Sequence, residues 1–191
     1  MGMCLTRFVG TAVVTSAVIL GSAVAVSPDQ VEPSMSPSVA TPRVVSPDDG
    51  EHRYFRNRPG TFTLKIDPKN GGSEHLVVLT EDMAPGDRIP THRHPLADEL
   101  IIVQSGNGRV TLGEKTQEAH AGSIVFIPRN TYVSMENNSG VHLMHTDVFS
   151  SPGYENYMRA ISVTEGESIV PLSKSEIDAL RAKYAPYGVY R

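Results

Sequence analysis

The sequence predicts an all-β fold, an antiparallel sandwich or barrel followed by a short helical tail. Three observations predict it. Apolar and polar residues alternate from Thr61, where Phe62, Leu64 and Ile66 are interleaved with Thr63, Lys65 and Asp67, and β-rich runs follow at His75 to Thr80 and Glu99 to Val103. A period of two turns one face of each strand inward. Turn signals recur at Asn70-Gly71-Gly72, Pro85-Gly86, Gly106-Asn107-Gly108, Gly113-Glu114, Gly122, Pro128 to Asn130 and Asn138-Ser139-Gly140, and a spacing of roughly 8–12 residues goes with many short strands. No stretch before Gly153 is long and periodic enough for a globular helix.

Composition narrows the function. The chain has 191 residues, 17 Lys plus Arg against 21 Asp plus Glu, one Cys and seven His, with a pI near 6.0. A net charge of −4 gathers no phosphates, which argues against nucleic-acid binding. A single Cys forms no internal disulfide and excludes Cys-rich zinc modules. Imidazole is the commonest metal ligand and the usual proton carrier near neutral pH, so the histidines are the residues to follow.

Residues 1–25 read as a secretory signal. Arg7 is followed by the uncharged run Phe8 to Leu20, then small residues and an A-x-A site at Ala23-Val24-Ala25, the order of basic start, apolar middle and cleavage site. A secreted or periplasmic, extracytoplasmic location follows, and contact with a membrane only if the signal stays uncleaved. Cleavage after Ala25 removes Cys4 and Arg7 and leaves a net charge of −5. Residues 26–47 carry Pro28, Pro33, Pro37, Pro42 and Pro47 among Ser, Val and Ala, a composition without a burial pattern that reads as an extended tether or spacer. Residues 48–150 are the expected barrel.

Residues 151–191 form the tail. Ser173-Lys174-Ser175-Glu176 is a capping box, and Ile177, Leu180 and Tyr184 follow on one helical stripe expected to pack on the barrel. Tyr154 to Ile161 is a weaker helix signal.

The chemistry concentrates between residues 86 and 106. His92 and His94 are separated by one residue, so in a strand both imidazoles project to the same face. Pro95 stops the strand and Glu99 opens the run Leu100 to Val103. If the chain reverses between His94 and Glu99, two imidazole nitrogens and a carboxylate meet, a set suited to a first-row divalent metal with open positions. On the dipeptide alone, a solvated His pair beside Arg93 is the competing reading.

The longer frame is Gly86, five residues, His92, one residue, His94, four residues, Glu99, six residues, Gly106. It resembles the first signature motif of the cupin superfamily at every fixed position. The second motif is matched in part: Gly122, five residues, Pro128, one residue, Asn130 in place of the usual Gly, two residues, Val133 in place of the last metal-binding His, three residues, Asn137. The resemblance spans Thr61 to Phe149, and the segment Phe149 to Glu155 with the late helix looks like the tail of small, quercetin-dioxygenase-like cupins. It implies a double-stranded β-helix, or jelly-roll barrel. It also implies a divalent transition metal (Fe, Mn, Ni, Zn or Cu) held by His92, His94 and Glu99, with Glu99 able to alternate between ligand and proton acceptor. Many members pair through barrel faces, so a homodimer is an expectation too.

Val133 leaves the fourth ligand place without a donor. Either three protein ligands suffice, or His142 or His145 substitutes, or the barrel is an empty pocket; parity places His142 and His145 on opposite faces, so at most one points inward. Of Tyr132 and Met135, one is expected to face the pocket. His52, His75 and His120 read as surface residues. Asn137-Asn138-Ser139 is a glycosylation acceptor sequence in an expected turn. Two functions compete: a metal-dependent oxidoreductase, dioxygenase-like, acting on a small organic molecule, and a secreted non-catalytic cupin that binds a small molecule or metal in a degenerate site.

Overall fold

Alternation of period two builds most of the molecule. The computed structural model describes residues 1–2 and 41–191; the expected signal and most of the tether lie outside the described residues. The strands are β1 (Glu51–Phe55), β2 (Thr61–Ile66), β3 (Val77–Met83), β4 (Arg88–Arg93), β5 (Glu99–Ser105) and β6 (Asn107–Leu112), then β7 (Lys115–His120), β8 (Ile124–Ile127), β9 (Val133–Glu136) and β10 (Leu143–Phe149). The tail follows as α1 (Tyr154–Ala160), β11 (Ser162–Thr164), α2 (Lys174–Lys183) and β12 (Val189–Tyr190). Among the described residues no helix is long and apolar enough to cross a membrane.

The strands form two antiparallel sheets, in the orders β11-β1-β2-β3-β10-β5-β8 and β12-β4-β9-β6-β7, which face each other as a jelly roll. Inward residues of β3 and β10 alternate strictly: Val77, Leu79, Glu81 and Met83 on one strand, Leu143, His145, Asp147 and Phe149 on the other, all buried. One core cluster joins Met83, Ile101 and Val103 of the larger sheet to Val110, Val133 and Met135 of the smaller. A second gathers Phe55, Phe62, Leu64, Leu79 and Phe149 around Tyr154, Tyr157 and Met158 of α1. Burying one such side chain stabilises by about 1.5–3 kcal/mol, so the inner faces dominate the stability of a barrel without disulfides.

Some local expectations are redirected by tertiary contacts. In β2 the register to β3 shifts between Leu64 and Ile66, a bulge, and Lys65 becomes buried while Ile66 is only half-buried. The Lys65 ammonium donates to the carbonyls of Pro47 and Asp49, so the end of the segment read as a tether is drawn against the barrel. Of the expected turn Gly106 to Gly108, only Gly106 turns, at φ 78°, and β6 begins at Asn107. Gly108 is needed for a close approach instead: a Cβ there would lie 2.8 Å from the Glu136 carbonyl oxygen.

Asn137 is fully buried, and its amide Nδ2 donates to the carbonyls of Met83 and Val141 at 2.9 and 2.8 Å. Glycosylation at that nitrogen would break both bonds, which removes Asn137 as an acceptor despite its sequence context. His52, His75 and His120 are exposed, as expected.

The tail is more than helical. The capping box at α2 forms as expected, Glu176 N–H donating to Ser173 Oγ and Ser173 N–H to the Glu176 carboxylate. Leu180 and Tyr184 of the expected stripe pack on the core. Two short strands accompany the helices: β11 extends the larger sheet through β1 and β12 extends the smaller through β4. The last residues of the chain therefore lie directly beside the strand that carries His92.

Candidate metal centre

His92 occupies a buried position of β4, His94 follows immediately after that strand, and Glu99 opens β5. The chain reverses between them as the sequence predicts. The ligand atoms of these three buried residues lie within 4.8 Å of one another. The two imidazole rings are 4.8 Å apart at 82°, and His94 Nε2 stands 3.5 Å from Glu99 Oε2.

Backbone carbonyls fix which nitrogens are free. His92 Nδ1 is 2.8 Å from the Pro90 oxygen and His94 Nδ1 is 2.8 Å from the Tyr187 oxygen. A carbonyl only accepts, so each Nδ1 carries the hydrogen and each Nε2 keeps its lone pair. Metal-binding histidines are commonly oriented in this way. Of these, His94 Nε2 and Glu99 Oε2 are buried without any hydrogen-bond partner. Buried polar atoms are nearly always satisfied, and two lone-pair-bearing atoms facing each other call for a proton or a cation between them. The donor set of two imidazoles and one carboxylate fits a divalent transition metal.

Tyr154 and Tyr190 complete the walls. His92 stacks on Tyr190 at 5.4 Å and on Tyr154 at 6.1 Å, His94 meets Tyr154 edge-on at 4.3 Å, and the two hydroxyls are hydrogen-bonded at 2.5 Å. Burial pushes both phenols well above their usual range, partly opposed at Tyr154 by the Tyr190 hydroxyl. These rings come from α1 and β12, beyond both signature motifs, and nothing in the sequence spacing pointed to them.

Val133 is buried on β9 directly opposite His92 in register, so the place of the missing fourth ligand lies at the site and is apolar. Met135, two residues on, lines the cavity, while Tyr132 takes the guanidiniums of Arg93 and Arg191 over its ring. Of the two candidate substitutes, His142 is exposed and pairs with Asp82, whereas His145 is fully buried. His145 does not join the His92 group. Its Nδ1 lies 2.8 Å from Asp147 and its Nε2 lies 3.9 Å from Glu81.

That second cluster is anchored by Arg58, whose guanidinium contacts Glu81 at 2.6 Å and Asp87 at 2.5 Å and lies 3.6 Å over the Phe55 ring. The sequence carried a signal for it. Glu81, His145 and Asp147 are polar residues in the inward phase of otherwise apolar strands, and an unshielded polar side chain there is costly without partners.

The cavity between the sheets has a volume of about 560 Å³ and is lined by Glu81, His92, Glu99, Val133, Asp147 and Phe149 among others. Burial, reinforced by the Asp147 and Glu81 carboxylates, pushes the Glu99 carboxyl well above its usual range. Burial also lowers both metal-site imidazoles: His94 falls to about 3, with the His92 charge adding to the effect and the Tyr187 carbonyl opposing it. His92 falls as well, with burial assisted by Arg58 and opposed by the Pro90 carbonyl and Glu81. His145 goes the other way, because Asp147 and Glu81 outweigh the burial that would lower it. Four acidic side chains (Glu81, Asp87, Glu99 and Asp147) thus gather beside Arg58 and His145, an acid-rich surrounding that favours a bound cation.

Comparison with known proteins agrees with this architecture. Residues 79–149 match the cupin domain. Protein SchB of Streptomyces halstedii is 26% identical over 99 residues, 52% of this chain and 70% of that protein. Among solved structures, the Cnp3 cupin domain of Schizosaccharomyces pombe is 17% identical with a TM-score of 0.45, covering 53% of this chain and 68% of that one. A conserved protein with a double-stranded β-helix domain from Klebsiella pneumoniae is 19% identical with a TM-score of 0.45, over 58% and 91% of the two chains. The matched segment runs from within β3 to the end of β10 and carries His92 on β4, His94 directly after that strand and Glu99 at the start of β5, so residues 79–149 of this chain form a cupin domain.

Proposed function

We propose that this protein is a metal-dependent oxidoreductase of the dioxygenase type, acting outside the cytoplasm on a small organic substrate held in the barrel. The observation that carries the reading is the pair of buried, unpartnered atoms His94 Nε2 and Glu99 Oε2, 3.5 Å apart beside the cavity. A divalent transition metal (Fe, Mn, Ni, Zn or Cu) held by His92, His94 and Glu99 would supply Lewis-acid polarisation of a bound oxygen and, if redox-active, a route for electrons.

The chain's own residues supply the rest. Val133 offers no ligand opposite His92, which leaves room for water or substrate. Leu79, Ile101 and Phe149 give the cavity an apolar wall that suits the body of an organic molecule. Glu99 Oε2 has no competing donor and can hold a proton taken from a bound substrate hydroxyl. The signal-like segment before residue 26 supports the extracytoplasmic location.

A second reading rests on Val133: with one ligand fewer than its relatives in the superfamily, the barrel would bind metal or a small molecule without turnover. Elemental analysis of protein purified without added metal, with O2 uptake measured on flavonols and simple diketones, separates the two. The oxidoreductase reading expects bound metal and O2 uptake, both lost in His92→Ala. Metal without uptake favours the binding protein, and absence of metal overturns the oxidoreductase reading and shifts the balance to a barrel that binds a small molecule.

A further inference from the structure

Three arginines without a carboxylate partner meet at one cavity of this molecule. Away from the cavity several guanidiniums are neutralised, Arg53 and Arg159 by Glu51, Arg109 by Glu136 and Arg129 by Asp98, while Arg56 donates to the Val170 carbonyl. Arg88, Arg181 and Arg191 line the cavity, and none has a carboxylate within salt-bridge distance among the described residues. The acids beside Arg88 are already engaged. Glu136, opposite Arg88 across β4 and β9, reaches Arg109, and Asp87 is held by Arg58.

Arg181 is the most informative of the three. It is half-buried on α2, and its Nε is buried without a partner, although a guanidinium carries only donors and gains from an oxyanion acceptor. Its Cζ lies 4.5 Å over the Tyr190 ring, which stacks on His92 at 5.4 Å. The two contacts in series hold the guanidinium within about 10 Å of the His92 imidazole. Arg88 and Arg191, which line the same cavity, are exposed to solvent. A protein of net charge −4 therefore gathers three arginines without carboxylate partners around one cavity, an arrangement suited to orienting an anion.

From this we infer that the ligand of the barrel is an organic acid. Its apolar body fills the inner wall, and its carboxylate is bound by Arg181 and Arg88, with the reactive end directed toward His92 and Glu99. The inference rests on the reading of the cavity as the substrate pocket and names the class of substrate.

Binding of matched acid and amide pairs (benzoate and benzamide, cinnamate and cinnamamide, protocatechuate and its amide) to the full chain tests it by calorimetry, with and without prior chelation of metal. At least one acid is expected to bind tenfold or more tightly than its amide, with affinity falling as salt is raised. The preference should survive chelation and shrink to within twofold in the Arg88→Gln, Arg181→Gln double variant, whose metal content by elemental analysis should equal that of the parent. Equal binding of acids and amides, no binding of any acid, or a preference that disappears on chelation while persisting in the double variant would each overturn the assignment. Loss of the metal reading shows separately, as an absence of metal in the parent protein.

Discussion

The carbonyl oxygen of Tyr187 accepts a hydrogen bond from His94 Nδ1 at 2.8 Å, across 93 residues of chain. The tail is thus part of the candidate metal site, since this bond sets the tautomer and orientation of a candidate ligand. Outer partners of metal-binding histidines typically contribute 10–100-fold in affinity. A chain ending after Tyr184 should stay folded, because the strands of the barrel are complete without β12, and should bind metal about 10–100-fold more weakly in a competition titration against a chelator. Unchanged affinity would show the contact to be incidental.

Gly153 tests the same coupling from the other side. Its φ is 130°, and a Cβ at this position would lie 2.1 Å from the Tyr187 ring. Gly153→Ala combines backbone strain with a clash against a ring, and a loss of about 2 kcal/mol or more is expected in urea unfolding. The metal affinity should fall with it as Tyr187 is displaced.

Val133→His should restore a ligand opposite His92. If three donors currently suffice, a fourth imidazole raises affinity by about tenfold or more, and it occupies the position a substrate needs. Metal retention against a chelator is expected to rise while turnover falls. A variant that binds metal no better would place the vacant coordination position elsewhere in the cavity.

Arg58 compensates two carboxylates that are almost fully buried, Glu81 and Asp87. Burial and Glu81 press the Asp87 carboxyl upward and Arg58 opposes them, so removing the guanidinium strands uncompensated charge. Arg58→Leu should cost about 3–5 kcal/mol in chemical denaturation, the usual range for breaking a buried pair from one side. The triple variant that adds Glu81→Gln and Asp87→Asn should recover much of the loss.

Acid sensitivity should trace in part to Glu51. Burial draws its carboxyl upward, but the Arg159 and Arg53 guanidiniums outweigh burial and hold it below the usual range. A carboxyl lowered in the folded state stabilises fully above its unfolded value, near 4.3, and loses that contribution as pH falls through the folded value. Glu51→Gln should therefore lower stability by about 1 kcal/mol at neutral pH. It should also flatten the decline measured by urea midpoints between about pH 5 and pH 3. A parent and variant with parallel pH profiles would exclude Glu51 as a contributor.

The sequence by itself determined the barrel and the meeting of His92, His94 and Glu99, because both depend on local periodicity. Alternation fixes which face of a strand is inward, and the spacing of His92, His94 and Glu99 brings three donors together wherever the chain turns at Pro95. It also exposed the apolar vacancy at Val133. Only the tertiary structure decided what surrounds the triad: which imidazole nitrogens are free, that His145 serves the cluster of Glu81, Asp147 and Arg58, that the Asn137 amide is consumed in the core, and that Lys65 turns inward at a bulge. The tail escaped sequence reading most completely. Tyr187, Tyr190 and Arg181 reach the site through pairing of β12 with β4 and packing of α2, contacts between segments some ninety residues apart that no local pattern encodes.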